Sequence, residues 1–242
     1  MSQRRRFQFS SLGITRGALI VFGIQLGVSL VWMMLEPEMK AQVAEYLIAS
    51  PSQIFEHGRV WTILTSPFIE FSFFQLLLIG FMMFSFVPTL ERFWGAARFY
   101  RFVAATSIVG VVCGVLLGKL LGVDAPVHGL SPFVWGTMVA YGVVYAKQPV
   151  QIWGVLPLTG RQMMWGFIAF LTLFVVLQQR WWDGAAYAGA MLTAAIIVSK
   201  RWSPGLVWKR WKISRARAKL TVMQGGANPS PKPKRDEQKW LN

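Results

Sequence analysis

Six stretches of this chain carry no charge for long enough to approach the width of a bilayer. They cover residues 18–35, 71–90, 102–118, 130–146, 163–177 and 185–199. About 20 consecutive apolar residues in a helix cover the hydrocarbon core. The first four runs come close to that length, and the last two are shorter, near ~15 residues. With 54% apolar residues among 242, the chain has the composition of a membrane protein and the length of one domain. We therefore expect an all-α membrane protein of six transmembrane helices. The first run is long and has no small-residue cleavage site before the acidic segment that follows, so it reads as a span and not as a signal peptide.

The placement of charge gives the expected sidedness. Assigning the connections alternately to two sides, with both termini together, puts 21 of the 25 Lys and Arg on one side. The other side keeps Lys40, Arg59, Lys119 and Arg180 but holds seven of the ten acids. Basic connections stay in the cytoplasm, so both termini are expected there, in a multi-pass protein of a bacterial inner membrane. This orientation rule accounts for the net charge of +15, and nucleic acid is not expected as a partner. Membrane lipid is.

Three segments follow. Residues 1–17 form a basic cytoplasmic arm, 18–199 the membrane domain, and 200–242 a basic tail. Within the tail, residues 206–223 alternate apolar and basic side chains and read as a helix lying on the anionic leaflet. The Pro-rich end reads as disordered. Between the first two spans runs a long external loop, with an interfacial stretch at 39–49. Loops of that length are usually functional or partly embedded. Trp61, Trp94, Trp153, Trp181, Trp182 and Trp202 fall where an aromatic belt is expected. Gly110, Gly114 and Gly118 form a small-residue stripe, suited to tight packing inside the bundle or to a homo-oligomer face. Cys113 is alone, and neither histidine, His57 or His128, has a companion at metal-ligand spacing. No metal or cofactor is expected.

The order of residues from Val60 onward carries a further signal. Trp61-Thr62 is followed by Thr65, Glu70, Gln75 and Ile79, then by Glu91-Arg92-Phe93-Trp94-Gly95. The fourth run opens Gly129-Leu130-Ser131-Pro132, and the sixth follows Gly184-Ala185-Ala186-Tyr187-Ala188-Gly189, with Thr193 beyond. In order and spacing this resembles the rhomboid intramembrane serine proteases over about residues 60–199. The resemblance implies a rhomboid-like bundle with a long external loop after the first helix. It aligns Ser131 with the family's nucleophile, and Gln75 and Ile79 with the histidine and asparagine that donate to the oxyanion. Ala186 stands at the base histidine, or Tyr187 does if the register slips by one. Thr62 takes the place of the loop arginine, which would loosen that loop.

Those replacements remove the chemistry the resemblance would carry. Neither alanine nor tyrosine takes a serine proton near neutral pH, and losing one oxyanion donor alone costs about 10²–10³ in rate. Ser131 and Pro132 also suit a helix start, with the serine as N-cap and the proline at the first helical position. His128 can approach Ser131 only if the helix begins before it. Glu91 is expected to orient the basic turn, Asp183 to mark a span end, and His57 to be solvated. The preferred expectation is a pseudoprotease that binds or sorts transmembrane helices of client proteins at Glu70, Gln75, Ile79, Ser131, Trp135 and Tyr187. Two alternatives are an active protease using Ser131 in an unorthodox site and a structural subunit of a membrane complex.

Overall fold

The computed structural model describes residues 14–152, 156–199 and 215. The basic arm up to residue 13, the stretch 206–223 apart from Arg215, the Pro-rich tail, Trp153 and Trp202 lie outside the described residues. The chain runs through α1 (Arg16–Met34), α2 (Pro37–Leu47), α3 (Pro51–Phe55), α4 (Thr62–Thr65), α5 (Phe73–Trp94), α6 (Ala96–Leu120) and α7 (Ser131–Val144). A hairpin of β1 (Pro149–Ile152) and β2 (Leu156–Thr159) follows, then α8 (Gly160–Gln178) and α9 (Trp181–Val198). All six apolar runs are helices, and the protein is an all-α membrane bundle. Among the described residues, α1, α5, α6, α8 and α9 have the length and hydropathy of spans.

The helix α7 departs from the expected length. Its 14 residues make about 21 Å at 1.5 Å per residue, short of the roughly 30 Å hydrocarbon core. The reason is its position. It packs against α5, α6, α8 and α9, and ten of its residues are buried. A helix that is apolar all round belongs inside a bundle, and one enclosed by neighbours need not reach both interfaces itself. Conversely α8 starts three residues earlier than its apolar run. Thr159 accepts from Gln162 N while the Gln162 side chain accepts from Thr159 N at 3.0 Å, which closes a capping box. The hairpin between α7 and α8 was not expected. Its strands pair antiparallel, Val150 opposite Leu158 and Ile152 opposite Leu156, and the β-branched Val150 and Ile152 were the signal for it.

Small residues form the tightest seam. A Cβ added at Gly110 would lie 2.6 Å from Pro132 and 3.1 Å from the Ala186 carbonyl oxygen. At Gly114 it would meet Val127 at 3.0 Å and Ala186 at 3.1 Å, and at Gly118 the Val123 carbonyl oxygen and Pro51. All three glycines are buried, Gly110 and Gly114 against α9 with Pro132 and Val127, and Gly118 against Val123 and Pro51, so the stripe packs inside the bundle.

Glu91 also serves a different role from the expected one. Its carboxylate accepts from the α1 backbone at Gly17 N (2.9 Å) and Ala18 N (2.8 Å), and from the Thr15 hydroxyl. The first N–H groups of a helix have no partner within it and carry partial positive charge, so a carboxylate from α5 ties the two spans together at that end.

The long connection between α1 and α5 is built from α2, α3 and α4, with a 3-10 turn at Ser66–Phe68. Thr62 did not loosen it. Arg59, three residues earlier, donates to the Glu45 carbonyl and to Gln53 Oε1, each at 2.7 Å, and lies 4.3 Å over the Tyr46 ring. Trp61 is no span-end residue here, since its Nε1 donates to the Tyr46 carbonyl within the same loop. Trp94, Trp181 and Trp182 do fall at span ends. His57 is exposed, its Nδ1 3.3 Å from the Ser52 carbonyl.

Candidate functional site

The starts of α5, α7 and α9 and the end of α8 converge on one side of the bundle. Here Gln75, Ser131, His128, Tyr187, Arg180 and Asp183 line one end of a cavity of about 530 Å³. Gln178 at the end of α8 joins them, and the other walls are apolar, among them Phe74, Leu78 and Met82 from α5, Trp135 and Met138 from α7, and Phe167, Phe170 and Phe174 from α8. While α5 packs on α1, α6 and α7, α8 packs on α7 and α9. The cavity therefore stands between two spans whose outer faces are apolar and exposed. Trp135 bridges across it, its ring 6.2 Å from both Tyr187 and Phe167.

Ser131 is the first residue of α7, with Leu130 at the cap position and Pro132 second in the helix. This moves the expected cap by one residue, and the Ser131 side chain caps nothing. Its hydroxyl is free for another contact and accepts from Gln75 Nε2 at 3.0 Å. Gln75 is aimed there by the start of α5, where the Ser72 side chain accepts from Gln75 N. Tyr187 faces Ser131 from α9. Ala186, one residue before, is 1% exposed and packs on Val111, Val115 and Val127. The residue opposite the serine is therefore the tyrosine. Ile79, one turn beyond Gln75, is buried in the main apolar core and brings no donor.

His128 and Ser131 belong to separate contacts, because the helix begins at Ser131 and not before His128. The imidazole stacks on Phe71 with ring centroids 3.7 Å apart, and its Nδ1 lies 3.6 Å from Glu70 Oε1. Among the described residues no hydrogen bond joins His128 to Ser131. Glu70 sits behind the cavity wall, fully buried. Its Oε1 accepts from Phe71 N at 3.0 Å, and its own N–H donates to Ser29 Oγ at 3.0 Å. Glu70 Oε2 and His128 Nδ1 are buried without a hydrogen-bond partner.

Burial raises the Glu70 carboxyl to about 7 and lowers the His128 imidazole to about 4. A raised carboxyl weakens folding as pH climbs from its unfolded value of 4.5 through 7, and a lowered histidine weakens it as pH drops from 6.5 through 4. The two slopes oppose each other at mildly acidic pH, which leaves Glu70 dominant above neutrality. Glu70→Gln should therefore stabilise the protein by about 2 kcal/mol at pH 8, with the gain shrinking toward zero below pH 4.5. Unfolding in mixed micelles at the two pH values measures the difference.

The pair of Arg180 Nε and Asp183 Oδ2, 2.8 Å apart, completes the polar end. Asp183 was read only as a span boundary. The signal for more was an acid in the first turn of a helix three residues after an arginine, a spacing that brings the two together.

Chemically the site is a set of hydrogen-bonding groups at the head of an apolar slot. An amide is not a base, and a phenol with an ordinary pKa of about 10 does not take a proton at neutral pH. Comparison with known proteins places the chain more broadly. No curated protein matches it. A family model described as "Eukaryotic integral membrane protein (DUF1751)" matches residues 14–198. A eukaryotic family counts against the bacterial inner membrane expected from the loop charges. The match covers every span of the bundle and well over half of the chain, which belongs to this family of integral membrane proteins.

Proposed function

We propose that this protein is a rhomboid-like pseudoprotease whose cavity receives a transmembrane segment of a client protein. One observation carries the reading: the Ser131 hydroxyl is engaged by the Gln75 amide at 3.0 Å and faces Tyr187. An activated serine needs a base within hydrogen-bond reach, and here its neighbours are an amide and a phenol. The cavity supports the second half. Polar groups at membrane depth face protein or a cavity, and this one opens between two spans, where a helix arriving from lipid meets apolar walls first and the polar cluster at their head.

The basic flanks at 1–17 and 200–242 lie on the cytoplasmic side in this proposal, following the distribution of Lys and Arg. The polar end of the cavity then faces away from the cytoplasm.

Two measurements test it. A serine-reactive fluorophosphonate probe should leave the protein in native membranes unlabelled, and Ser131→Ala should change nothing; labelling that disappears in Ser131→Ala would make it an enzyme. A photocrosslinker at Trp135 or Gln75 should capture membrane-protein segments. Capture of lipid alone at both positions would remove the client-binding reading.

A further inference from the structure

Glu70 and His128 join two connections that both lead into the cavity. Glu70 lies two residues before the Ser72 cap of α5, and His128 three residues before the start of α7. The contact is close packed. Phe71 stacks on both His128 and Trp32 of α1, at 3.7 and 5.5 Å between centroids. Gly129 adopts φ +79°, and a Cβ there would run into the Glu70 carboxylate. The Gly129 N–H donates to the Ser66 carbonyl at 3.0 Å, and Val127 N to the Ala49 carbonyl at 2.8 Å. In this setting two heteroatoms face each other with one hydrogen bond left unmade. Glu70 Oε1 and His128 Nδ1 are 3.6 Å apart, and the imidazole nitrogen and the second carboxylate oxygen are buried without partners.

From this geometry we infer that Glu70 and His128 form a proton-operated latch at the head of the cavity: one shared proton closes the seam between the α5 and α7 connections, and its loss opens it. With the proton present, the carboxylic acid O–H donates to the neutral imidazole nitrogen and no charge is buried. When the proton leaves to water, the carboxylate keeps only the backbone N–H groups of Phe71 and Ser72 and has no cation in contact. An ionised buried carboxylate needs compensation. Of the elements packed here, α1 contributes Ser29 and Trp32, which are uncharged. The start of α9 contributes Asp183 and Tyr187, and the connection before it Arg180. The Arg180 charge is already committed to Asp183 at 2.8 Å. Water admitted along the 125–130 connection is then the available remedy, and that movement carries His128 and the Gln75–Ser131 contact with it. Burial places the exchange near neutral pH, since it raises the Glu70 carboxyl to about 7. The latch stands whether or not the cavity takes a transmembrane segment.

The test is a distance across the slot in the full chain held in lipid nanodiscs. Spin labels at Phe74→Cys on α5 and Phe174→Cys on α8, in a Cys113→Ala background, report its width by pulsed electron paramagnetic resonance. The label pair should widen as pH rises from 5.5 to 8.5, with a midpoint close to neutrality. Glu70→Gln, which keeps a neutral donor beside His128, should hold the narrow distribution at every pH, whereas Asp183→Asn should leave the widening intact. A width that ignores pH overturns the latch, and so does widening that survives in Glu70→Gln or vanishes only in Asp183→Asn. A second readout needs no variant to fold: infrared spectra of the unaltered protein should contain a carboxylic acid C=O band that titrates near neutral pH. Its absence overturns the assignment as well.

Discussion

Glu91→Ala is expected to lower the stability of the folded bundle by about 3–5 kcal/mol. Three donors of the α1 start converge on this one carboxylate: the Thr15 hydroxyl and the N–H groups of Gly17 and Ala18. Hydrogen bonds to a charged acceptor contribute about 1.5–3 kcal/mol each, and a buried donor left unmade costs about 1–3 kcal/mol. Gly17 and Ala18 are both buried, so water cannot simply replace the lost acceptor. Glu91→Gln keeps one acceptor oxygen but turns an amide N–H toward the helix dipole, and it should fall between alanine and the unaltered protein. Equilibrium unfolding in mixed detergent micelles, followed by tryptophan fluorescence, measures both. A loss under about 1 kcal/mol for alanine would mean that the α1 end is held by apolar packing alone. Gly17→Ala approaches the same contact from the other side, since its Cβ would lie 2.7 Å from the Glu91 carboxyl.

The second large effect concerns the seam of small residues. Gly110→Val should destabilise the bundle by about 3 kcal/mol, the upper part of the usual cost of overpacking. The obstacles at this position are rigid: the Pro132 ring and the backbone carbonyl of Ala186. Neither can swing aside as the far end of a long side chain does. Helix association in lipid depends on van der Waals packing and close approach of backbones, and α6 against α9 is the most extensive contact in the fold. The same substitution should also disturb the site, because Pro132 follows Ser131 directly. Gly23 and Gly27 provide the control. A Cβ on either meets nothing within 4 Å, so alanine at these positions should leave stability unchanged or raise it by a few tenths to ~1 kcal/mol through helix propensity. If all of these glycines tolerated substitution equally, the seam would not be what holds α6 to α9.

The candidate site was legible in the sequence to an uneven degree. Gln75, Ile79 and Ser131 could be aligned with a known order of motifs because spacing along the chain fixes such an alignment. Their contacts could not be read that way. Gln75 looked like a lost oxyanion donor and turns out to hold the Ser131 hydroxyl itself. Asp183 reads in the sequence only as a span end and Arg180 only as a charge in the connection before it, since a charged pair there resembles ordinary solvation until the cavity beside it is seen. Arg59 was likewise missed. The motif pointed to Thr62, while the guanidinium that braces the loop comes from three residues earlier.

What the sequence determined by itself was the set of six apolar helices and the asymmetry of charge between their connections. Partition into lipid is decided segment by segment, from side-chain transfer energies that depend little on neighbouring helices, and a one-dimensional reading suffices for it. The tertiary structure decided which way each helix faces. Successive residues in a helix point about 100° apart, so Ala186 and Tyr187 cannot both meet Ser131. The choice between them rests on how the glycines of α6 admit α9. That packing turns Ala186 into the seam and Tyr187 into the cavity. Rotation about a helix axis costs nothing in lipid until a partner helix is present, which is why no reading of hydropathy or spacing could have fixed it.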